Sequence, residues 1–221
     1  MSIHRVSVDL NEELSALSGQ TLLDQAEYMN QVVERILSLY EHHPNRPTSV
    51  IIIGHSMGGL VARTMFMLPN YIPNSITNIV TLATPHMAAP LLLDATIYRT
   101  YKELTKFWTQ NKLNNLTLIS IAGGSLDVIV HSDHMAILWC NQLIRILAST
   151  LLETVYAVSV EERMQIYKRN LLDGRDDSII SNQITDISAN QLEIKTLENT
   201  NTPILFNQQK TTMTVIRSPA T

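Results

Sequence analysis

Residues 50–60 decide the fold of this chain and read Val-Ile-Ile-Ile-Gly-His-Ser-Met-Gly-Gly-Leu. The β-branched run Val50–Ile53 is typical of a strand buried on both faces of a parallel sheet. Gly54–Gly58 has the Gly-x-Ser-x-Gly pattern, which presents a serine on a sharp turn between a strand and a helix. Apolar residues up to Leu68 follow at helical spacing, and Pro69 ends the run. The stretch therefore predicts a strand, a tight turn and a helix in direct succession.

Helical and strand patterns alternate on both sides of this unit. In chain order, they predict a short strand at Val6–Leu10, a helix at Thr21–Tyr40, a strand at Ile76–Leu82, a helix at Ile97–Trp108, a strand at Leu116–Ile121 and an apolar helix at Met135–Leu147. Thr21 and Asp24 fit the capping pattern at the start of the first helix. Alternating helices and apolar strands predict an α/β fold, with a mostly parallel sheet and helices on both faces.

The chain changes character near residue 173. Residues 1–173 carry the alternating pattern, and we expect them to form one α/β domain. Residues 174–221 are rich in Asn, Gln, Thr, Ser and Asp, and Phe206 is their only aromatic residue. Such a polar segment buries too little apolar surface to fold alone, so we expect a disordered or only partly folded tail.

Composition and charge exclude several function classes. A net charge of −4 and a pI near 5.9 give no attraction to nucleic acid. Cys140 is the single cysteine, which rules out an internal disulfide, and neither it nor the histidines have a spacing suited to metal binding. We therefore expect neither a metal nor a cofactor. Met1–Leu10 contains no apolar stretch long enough for a signal peptide, and polar residues interrupt the most apolar later run, Met135–Leu152, so the sequence predicts a soluble chain.

Ser56 is the predicted nucleophile. A serine hydroxyl is weak until a base removes its proton and donors stabilise the oxyanion. The turn would expose the hydroxyl, and the amide of Met57 at the helix N-terminus would donate to the oxyanion. We expect glycine at Gly54 and Gly58 because side chains there would collide in so sharp a turn. The alternatives are a glycine-rich turn with an incidental serine, or a phosphate-binding loop, which would need a Gly-Lys-Ser/Thr sequence that does not follow here.

The acid and the base of a catalytic triad should follow the serine, in that order. Asp127 lies in a loop after the predicted strand at Leu116–Ile121, at the sheet edge where catalytic groups gather. His131 and His134 come next, and His134 opens the predicted apolar helix. The alternatives are an ordinary turn aspartate and a solvated helix-cap histidine. His86 is a further candidate, but its position in the loop after an earlier strand suits a pocket wall or lid better.

Several segments between about Val6 and Leu172 resemble the GPI inositol-deacylases, a family of α/β-hydrolases. The similar segments are Asp9–Ala16, Leu23–Tyr28, Gly54–Gly59 with Val61–Arg63, Thr81–His86, Ile119–Gly124 with Asp127, and Asp133–His134 with Ala136–Cys140. Many lipases share the hydrolase motif, whereas Leu23–Tyr28 and the segment around His134 are much more specific. The resemblance implies an α/β-hydrolase-like fold.

The resemblance also implies an activity and its setting. Enzymes of this family remove the fatty acyl chain from the inositol of GPI anchors in the endoplasmic reticulum membrane. Ser56 would be the nucleophile, His134 the general base and Asp127 the acid that orients the base. The substrate would be a lipid or a GPI-anchored protein. The family also implies membrane association, although this chain has no transmembrane segment.

This chain differs from the family's pattern in three places, and we therefore expect an incomplete hydrolase domain. The family has an earlier strand and a glycine-rich loop before the segment that matches Val6, and that loop should supply the second oxyanion donor. Six residues separate Asp127 from His134, where the family has a longer stretch with a further strand. No membrane-spanning region follows Gly174. Two other functions stay open: a general lipase or esterase, and an inactive hydrolase-like module that binds a partner or lipid.

Overall fold

The computed structural model of the chain describes residues 4–10, 15–90, 94–110, 113–121 and 132–171, and the backbone of residues 193–197 and 212–216. The helices in this part of the chain are α1 (Gly19–Ser38), α2 (Met57–Thr64), α3 (Ala95–Gln110), α4 (Ser132–Ala136), α5 (Asn141–Thr154) and α6 (Val160–Leu171), with a 3-10 turn at Met65–Met67 after α2. The strands are β1 (Val50–His55), β2 (Ile76–Leu82), β3 (Thr117–Ile121), β4 (Glu193–Leu197) and β5 (Thr212–Ile216).

The described strands form one sheet in the order β1-β2-β3-β5-β4. Strands β1, β2 and β3 run parallel, β5 is antiparallel to β3, and β4 is parallel to β5. His55 lies opposite Leu82, and Leu82 lies opposite Ile121, so the carboxyl ends of the three parallel strands meet at one edge. The mostly parallel sheet predicted from the sequence is confirmed. Catalytic and binding groups of such sheets gather at this edge.

Helices cover both faces of the sheet, each over its own apolar core. Neighbouring residues along a strand point to opposite faces, and accordingly Ile79 belongs to one buried cluster and Val80 to the other. The first cluster joins side chains of α1, α2 and α3, among them Leu22. The second joins side chains of α5 and α6, among them Tyr167, to the sheet. Full burial of an aliphatic side chain such as Leu22 or Ile79 stabilises the fold by roughly 1.5–3 kcal/mol.

Strand β1 is more exposed than its sequence predicts. It lies at one end of the strand order, and Ile53 is 53% exposed. The run Val50–Ile53 predicts burial on both faces, but β-branched residues also suit a half-buried strand. The prediction of full burial is therefore wrong for the described part of the chain. The strand itself is confirmed, and it extends to His55.

Two other predicted elements differ from the structure. Val6–Leu10 forms no strand, because no strand pairs with it among the described residues, and Val6 is 55% exposed. The single helix predicted at Met135–Leu147 is two helices, α4 and α5. After α4 the amides of Leu138 and Trp139 donate to carbonyls three residues earlier, as in a turn, rather than four residues earlier. Cys140 then adopts an extended conformation with ψ of 98°, which cannot continue a helix. Helix α5 begins at the next residue.

Strands β4 and β5 fall within residues 174–221, where the sequence predicts a disordered or partly folded tail. Strand β5 extends the sheet beside β3, with Ile216 opposite Leu118. The other residues of that range lie outside the described residues, so the division of the chain at residue 173 stays a prediction. Of the helices that the structure describes, none has both the length and the apolar character needed to cross a membrane.

Candidate active site

Ser56 lies in the turn between β1 and α2, where the parallel strands end. Its backbone has φ of 53° and ψ of −127°, a conformation that L-residues rarely adopt. The Ser56 amide donates to Leu82 O at 2.9 Å, and the Ser56 carbonyl accepts from the Gly59 amide at 3.2 Å. The turn is thus held by the sheet on one side and by the helix on the other. Strain of this kind costs about 1–3 kcal/mol and persists only where the surrounding structure fixes it.

Close packing in the turn requires glycine at two positions, of which the sequence predicts only one. A Cβ on Gly54 would lie 2.6 Å from Gly59 N, so the expected collision at Gly54 is confirmed. A Cβ on Gly58 would meet nothing within 4 Å, so the expected collision there is wrong. A Cβ on Gly59 would lie 2.1 Å from Thr84 Oγ1, a collision that is not predicted from the sequence. The available signal was a second glycine inside a helical pattern, where glycine costs about 1 kcal/mol relative to alanine.

Met57 is the first residue of α2, and its side chain is buried against the first apolar core. The Ser56 hydroxyl makes no capping hydrogen bond to this helix. A helix N-terminus with uncapped amides attracts negative charge, both through its N–H groups and through the helix dipole. The position suits the Met57 amide as a donor to an oxyanion, and this role stays a prediction.

His134 lies beside the turn, against the residue that precedes Ser56. The His55 ring nitrogen Nε2 is 2.9 Å from His134 O, and the two imidazole centroids are 4.7 Å apart at 40°. Burial lowers the pKa of His134 below its ordinary value of 6.5, and the charge of the neighbouring His55 lowers it further. A base with a lowered pKa stays neutral at neutral pH, which is the state that can accept a proton.

The structure brings two of the three predicted triad positions to one edge and leaves the third open. Ser56 and His134 both lie next to His55, but no hydrogen bond joins the Ser56 hydroxyl to the His134 ring in the described part of the chain. Asp127 and His131 lie outside the described residues. The assignment of Ser56, His134 and Asp127 to catalytic roles therefore stays a prediction.

His86 is locked into a hydrogen-bonded chain that leaves no ring nitrogen free. Arg63 Nη1 lies 3.1 Å from His86 Nδ1, and a guanidinium can only donate, so Nδ1 is the acceptor. His86 Nε2 lies 2.9 Å from Thr81 Oγ1, and this nitrogen therefore carries the hydrogen and donates. Burial, followed by the charge of Arg63, lowers the pKa of His86 well below its ordinary value. With both nitrogens engaged, His86 supports the loop after β2 and is not placed to act as a base.

Arg63, on α2, is the buried centre of this support. Its guanidinium lies 4.9 Å from the ring centroid of Trp108, whose indole N–H donates to Arg63 O at 3.2 Å. Burial lowers the pKa of Arg63 to about 10. The sequence alone does not indicate this role of Arg63, because a contact between positions that are far apart in the chain leaves no local pattern. Among the described residues, no group of three or more His, Cys, Asp or Glu side chains is placed to hold a metal ion.

Together, these features define the structural class of the chain. A parallel strand followed by a serine with positive φ and then at once by a helix, in a sheet with helices on both faces, is the arrangement of the α/β-hydrolase fold. The family model described as a PGAP1-like alpha/beta domain matches residues 2–133. This chain belongs to that family. The matched range includes Ser56 and Asp127 and ends one residue before His134.

Curated relatives of the chain are fungal proteins named GPI inositol-deacylase. The protein of Debaryomyces hansenii is 38% identical over an alignment of 222 positions that covers 77% of this chain and 22% of that protein. The Neurospora crassa protein is 38% identical over an alignment of 228 positions that covers 80% of this chain and 18% of the relative. GPI inositol-deacylase A of Yarrowia lipolytica is 38% identical over an alignment of 236 positions that covers 90% of this chain and 22% of the relative. The chain thus matches about a fifth of the length of these relatives.

Proposed function

We propose that this chain is a serine ester hydrolase that removes the fatty acyl chain from the inositol of GPI anchors. The observation that carries the proposal is the strained Ser56, held at the start of α2 where the parallel strands end. This backbone conformation costs free energy, and α/β-hydrolases use it to expose a nucleophilic hydroxyl. The substrate is suggested by the names of the relatives from Debaryomyces and Neurospora.

The proposed reaction is an acyl transfer in two steps. The Ser56 hydroxyl attacks the ester carbonyl while the neutral His134 imidazole takes its proton. The amide of Met57 donates to the oxyanion of the tetrahedral intermediate. As the intermediate collapses, the inositol oxygen leaves and takes the proton from His134, and the acyl group stays on Ser56. Water, deprotonated by His134, then attacks the acyl carbon. The bond to Ser56 breaks, His134 gives the proton back to the Ser56 oxygen, and the fatty acid is released. Asp127 would hold the far ring nitrogen of the imidazole.

His134 must turn towards Ser56 for this reaction to occur. In the structure its ring lies against His55 rather than at the serine hydroxyl. A side-chain rotation of this kind is common before substrate binds, since catalytic hydrogen bonds often tighten only in the complex. The lowered pKa of His134 supports its role, because the base is then already unprotonated at neutral pH.

The setting of the activity is part of the same proposal. The reaction would take place on a GPI-anchored protein or on its lipid precursor, in the endoplasmic reticulum membrane where such anchors are processed. The chain would then act on a lipid held in a bilayer. We propose no metal and no cofactor, because serine, histidine and backbone amides supply every proton transfer and charge contact that ester hydrolysis needs.

A comparison of two substrates tests the proposal. Purified chain and its Ser56→Ala variant would be assayed on an acyl-inositol GPI substrate in detergent micelles and on p-nitrophenyl butyrate. The proposal predicts that fatty acid is released from the GPI substrate by the wild type and not by the variant. Activity confined to the simple ester would identify a general esterase instead. A folded wild-type protein that releases no acid from either substrate would leave only an inactive hydrolase-like module.

A further inference from the structure

His55 links the nucleophile turn to the segment that carries His134. Its Nε2 lies 2.9 Å from His134 O, across 79 positions of the chain. A carbonyl oxygen can only accept, so Nε2 must carry the hydrogen and donate. The His55 ring also packs against the His134 ring at 4.7 Å between centroids. Two independent contacts thus join the residue before Ser56 to His134.

The carbonyl of His134 is available for this contact because of how α4 ends. In a continuing α-helix the amide of Leu138 would donate to His134 O. Here the Leu138 amide donates to Met135 O at 3.0 Å, as part of the tighter turns that follow α4. The His55 ring therefore donates to a carbonyl that the Leu138 amide has left free.

Helix α4 depends on such external contacts. It has five residues, and helices much shorter than about 12 residues are unstable in isolation. Its position beside the turn must therefore come from packing and hydrogen bonds to the rest of the domain. His55 supplies one of these from the end of β1, the strand that also presents Ser56.

We propose that His55 is a positioning residue, which holds the backbone of His134 beside the nucleophile turn by donating from Nε2 to His134 O, and leaves the His134 ring able to turn towards Ser56. The proposal rests on the proposed function, in which His134 is the base for Ser56. His55 itself touches neither substrate nor reacting atoms in this scheme. It is also the titratable group that faces the His134 ring in the described part of the chain, so its removal should leave an electrostatic signature as well as a geometric one.

Two substitutions at His55 separate the geometric and electrostatic effects. In His55→Gln the side-chain amide nitrogen can reach the position of Nε2 and still donate, but the charge is lost. In His55→Leu both the donor and the charge are lost at similar volume. The measurements are the second-order rate of covalent labelling of Ser56 by a fluorophosphonate probe between pH 4.5 and 8, and the titration of His134 by histidine NMR. Thermal unfolding would show that each variant is folded.

The proposal predicts different outcomes for rate and for pH dependence. His55→Leu should slow labelling at pH 8 by about 3- to 10-fold, the equivalent of one hydrogen bond, and His55→Gln should restore most of the rate. In both variants the acid limb of the labelling profile and the NMR pKa of His134 should move up towards the ordinary value, because a neighbouring charge that lowers the pKa is gone. If a substitution only unfolded part of the protein, less protein would be labelled, but the acid limb of the labelling profile would stay at the same pH.

Three results would overturn the proposal. One is a His55→Leu variant that labels at the wild-type rate with an unmoved limb. Another is an equal rate loss in both variants, because the retained donor would then have no effect. The third is an NMR pKa of His134 that is the same in wild type and His55→Leu, which can be measured even if the wild type does not label at all. If the wild type is not labelled but the NMR pKa of His134 differs between wild type and His55→Leu, the proposed function is rejected and the His55–His134 contact is retained.

Discussion

The glycines of the nucleophile turn allow a matched test of how this turn is packed. Gly58 and Gly59 are adjacent residues of α2, yet a methyl group on Gly58 meets open space, whereas a methyl group on Gly59 lies 2.1 Å from Thr84 Oγ1 and 2.8 Å from Thr81 Cγ2. A methyl group on Gly54 would lie 2.6 Å from Gly59 N, which is a backbone atom that cannot move aside. The three Gly→Ala variants should therefore differ sharply although the chemical change is the same.

The expected changes in the free energy of unfolding follow from these contacts. Gly58→Ala should stabilise the protein by up to about 0.5–1 kcal/mol, because alanine has less backbone freedom to lose in a helix. Gly59→Ala should destabilise it by about 1–3 kcal/mol, the usual cost of overpacking, partly offset by the same helix preference. Gly54→Ala should cost more than Gly59→Ala, since the obstacle there is backbone rather than a side chain.

Urea denaturation of the three variants, followed by circular dichroism, measures these differences. Thr84→Ala provides the internal check: it removes Oγ1 and Cγ2, and Thr84 Oγ1 is buried without a hydrogen-bond partner, so the single substitution should cost little. The double variant Gly59→Ala with Thr84→Ala should then recover at least about 1 kcal/mol relative to the sum of the single changes. A Gly58→Ala variant as unstable as Gly59→Ala, or a double variant with no recovery, would refute the packing argument.

Three other groups of the molecule give further predictions. The pKa of His86 is lowered in the folded state, so as the pH falls below 6.5 the unfolded chain takes up the proton first. The free energy of unfolding should therefore decrease by at most about 1.4 kcal/mol per pH unit. Urea denaturation at several pH values should show this decrease in the wild type and a smaller one in His86→Asn. Arg163 is buried and donates to Thr117 Oγ1 and to Asn115 O, each at 3.0 Å. Arg163→Met should therefore lower the free energy of unfolding by about 2–3 kcal/mol. A decrease below about 0.5 kcal/mol in urea denaturation would contradict a stabilising role for these hydrogen bonds. Because burial lowers the pKa of His134, the rate of Ser56 labelling should rise with pH through a midpoint below 6.5, and a midpoint at or above that value would argue against His134 as the base.

The sequence predicted the elements whose signals are local. Strand β2 has the predicted bounds Ile76–Leu82, because an apolar β-branched run between turn signals leaves little freedom for either end. The strand, turn and helix around Ser56 were likewise predicted from the sequence, since the Gly-x-Ser-x-Gly spacing has a steric cause. The start of α1 was displaced by two residues, because Ser18 rather than Thr21 provides the cap, accepting from the Thr21 amide at 3.3 Å.

Features that depend on contacts between residues far apart in the sequence could not be predicted. The exposure of Ile53 depends on which strands lie beside β1, and the break before α5 depends on contacts of the preceding turn rather than on apolar spacing. Helix α6 was not predicted, and its buried Arg163 satisfies groups of β3 and of the loop before it. The His55–His134 contact joins residues far apart in the chain, so no pattern in either segment reveals it. The candidate site was thus predicted at the serine, and its support was not.

Mapping a covalent adduct tests the central claim most directly. The folded chain would be treated with a fluorophosphonate probe, digested, and its modified peptide sequenced by mass spectrometry, beside Ser56→Ala and His134→Ala. We predict a single adduct on Ser56 that disappears in the first variant and forms about 10²–10⁴-fold more slowly in the second. An adduct on another residue, equal labelling of Ser56→Ala, or a folded wild type that takes up no probe would contradict the claim that this turn presents an activated nucleophile.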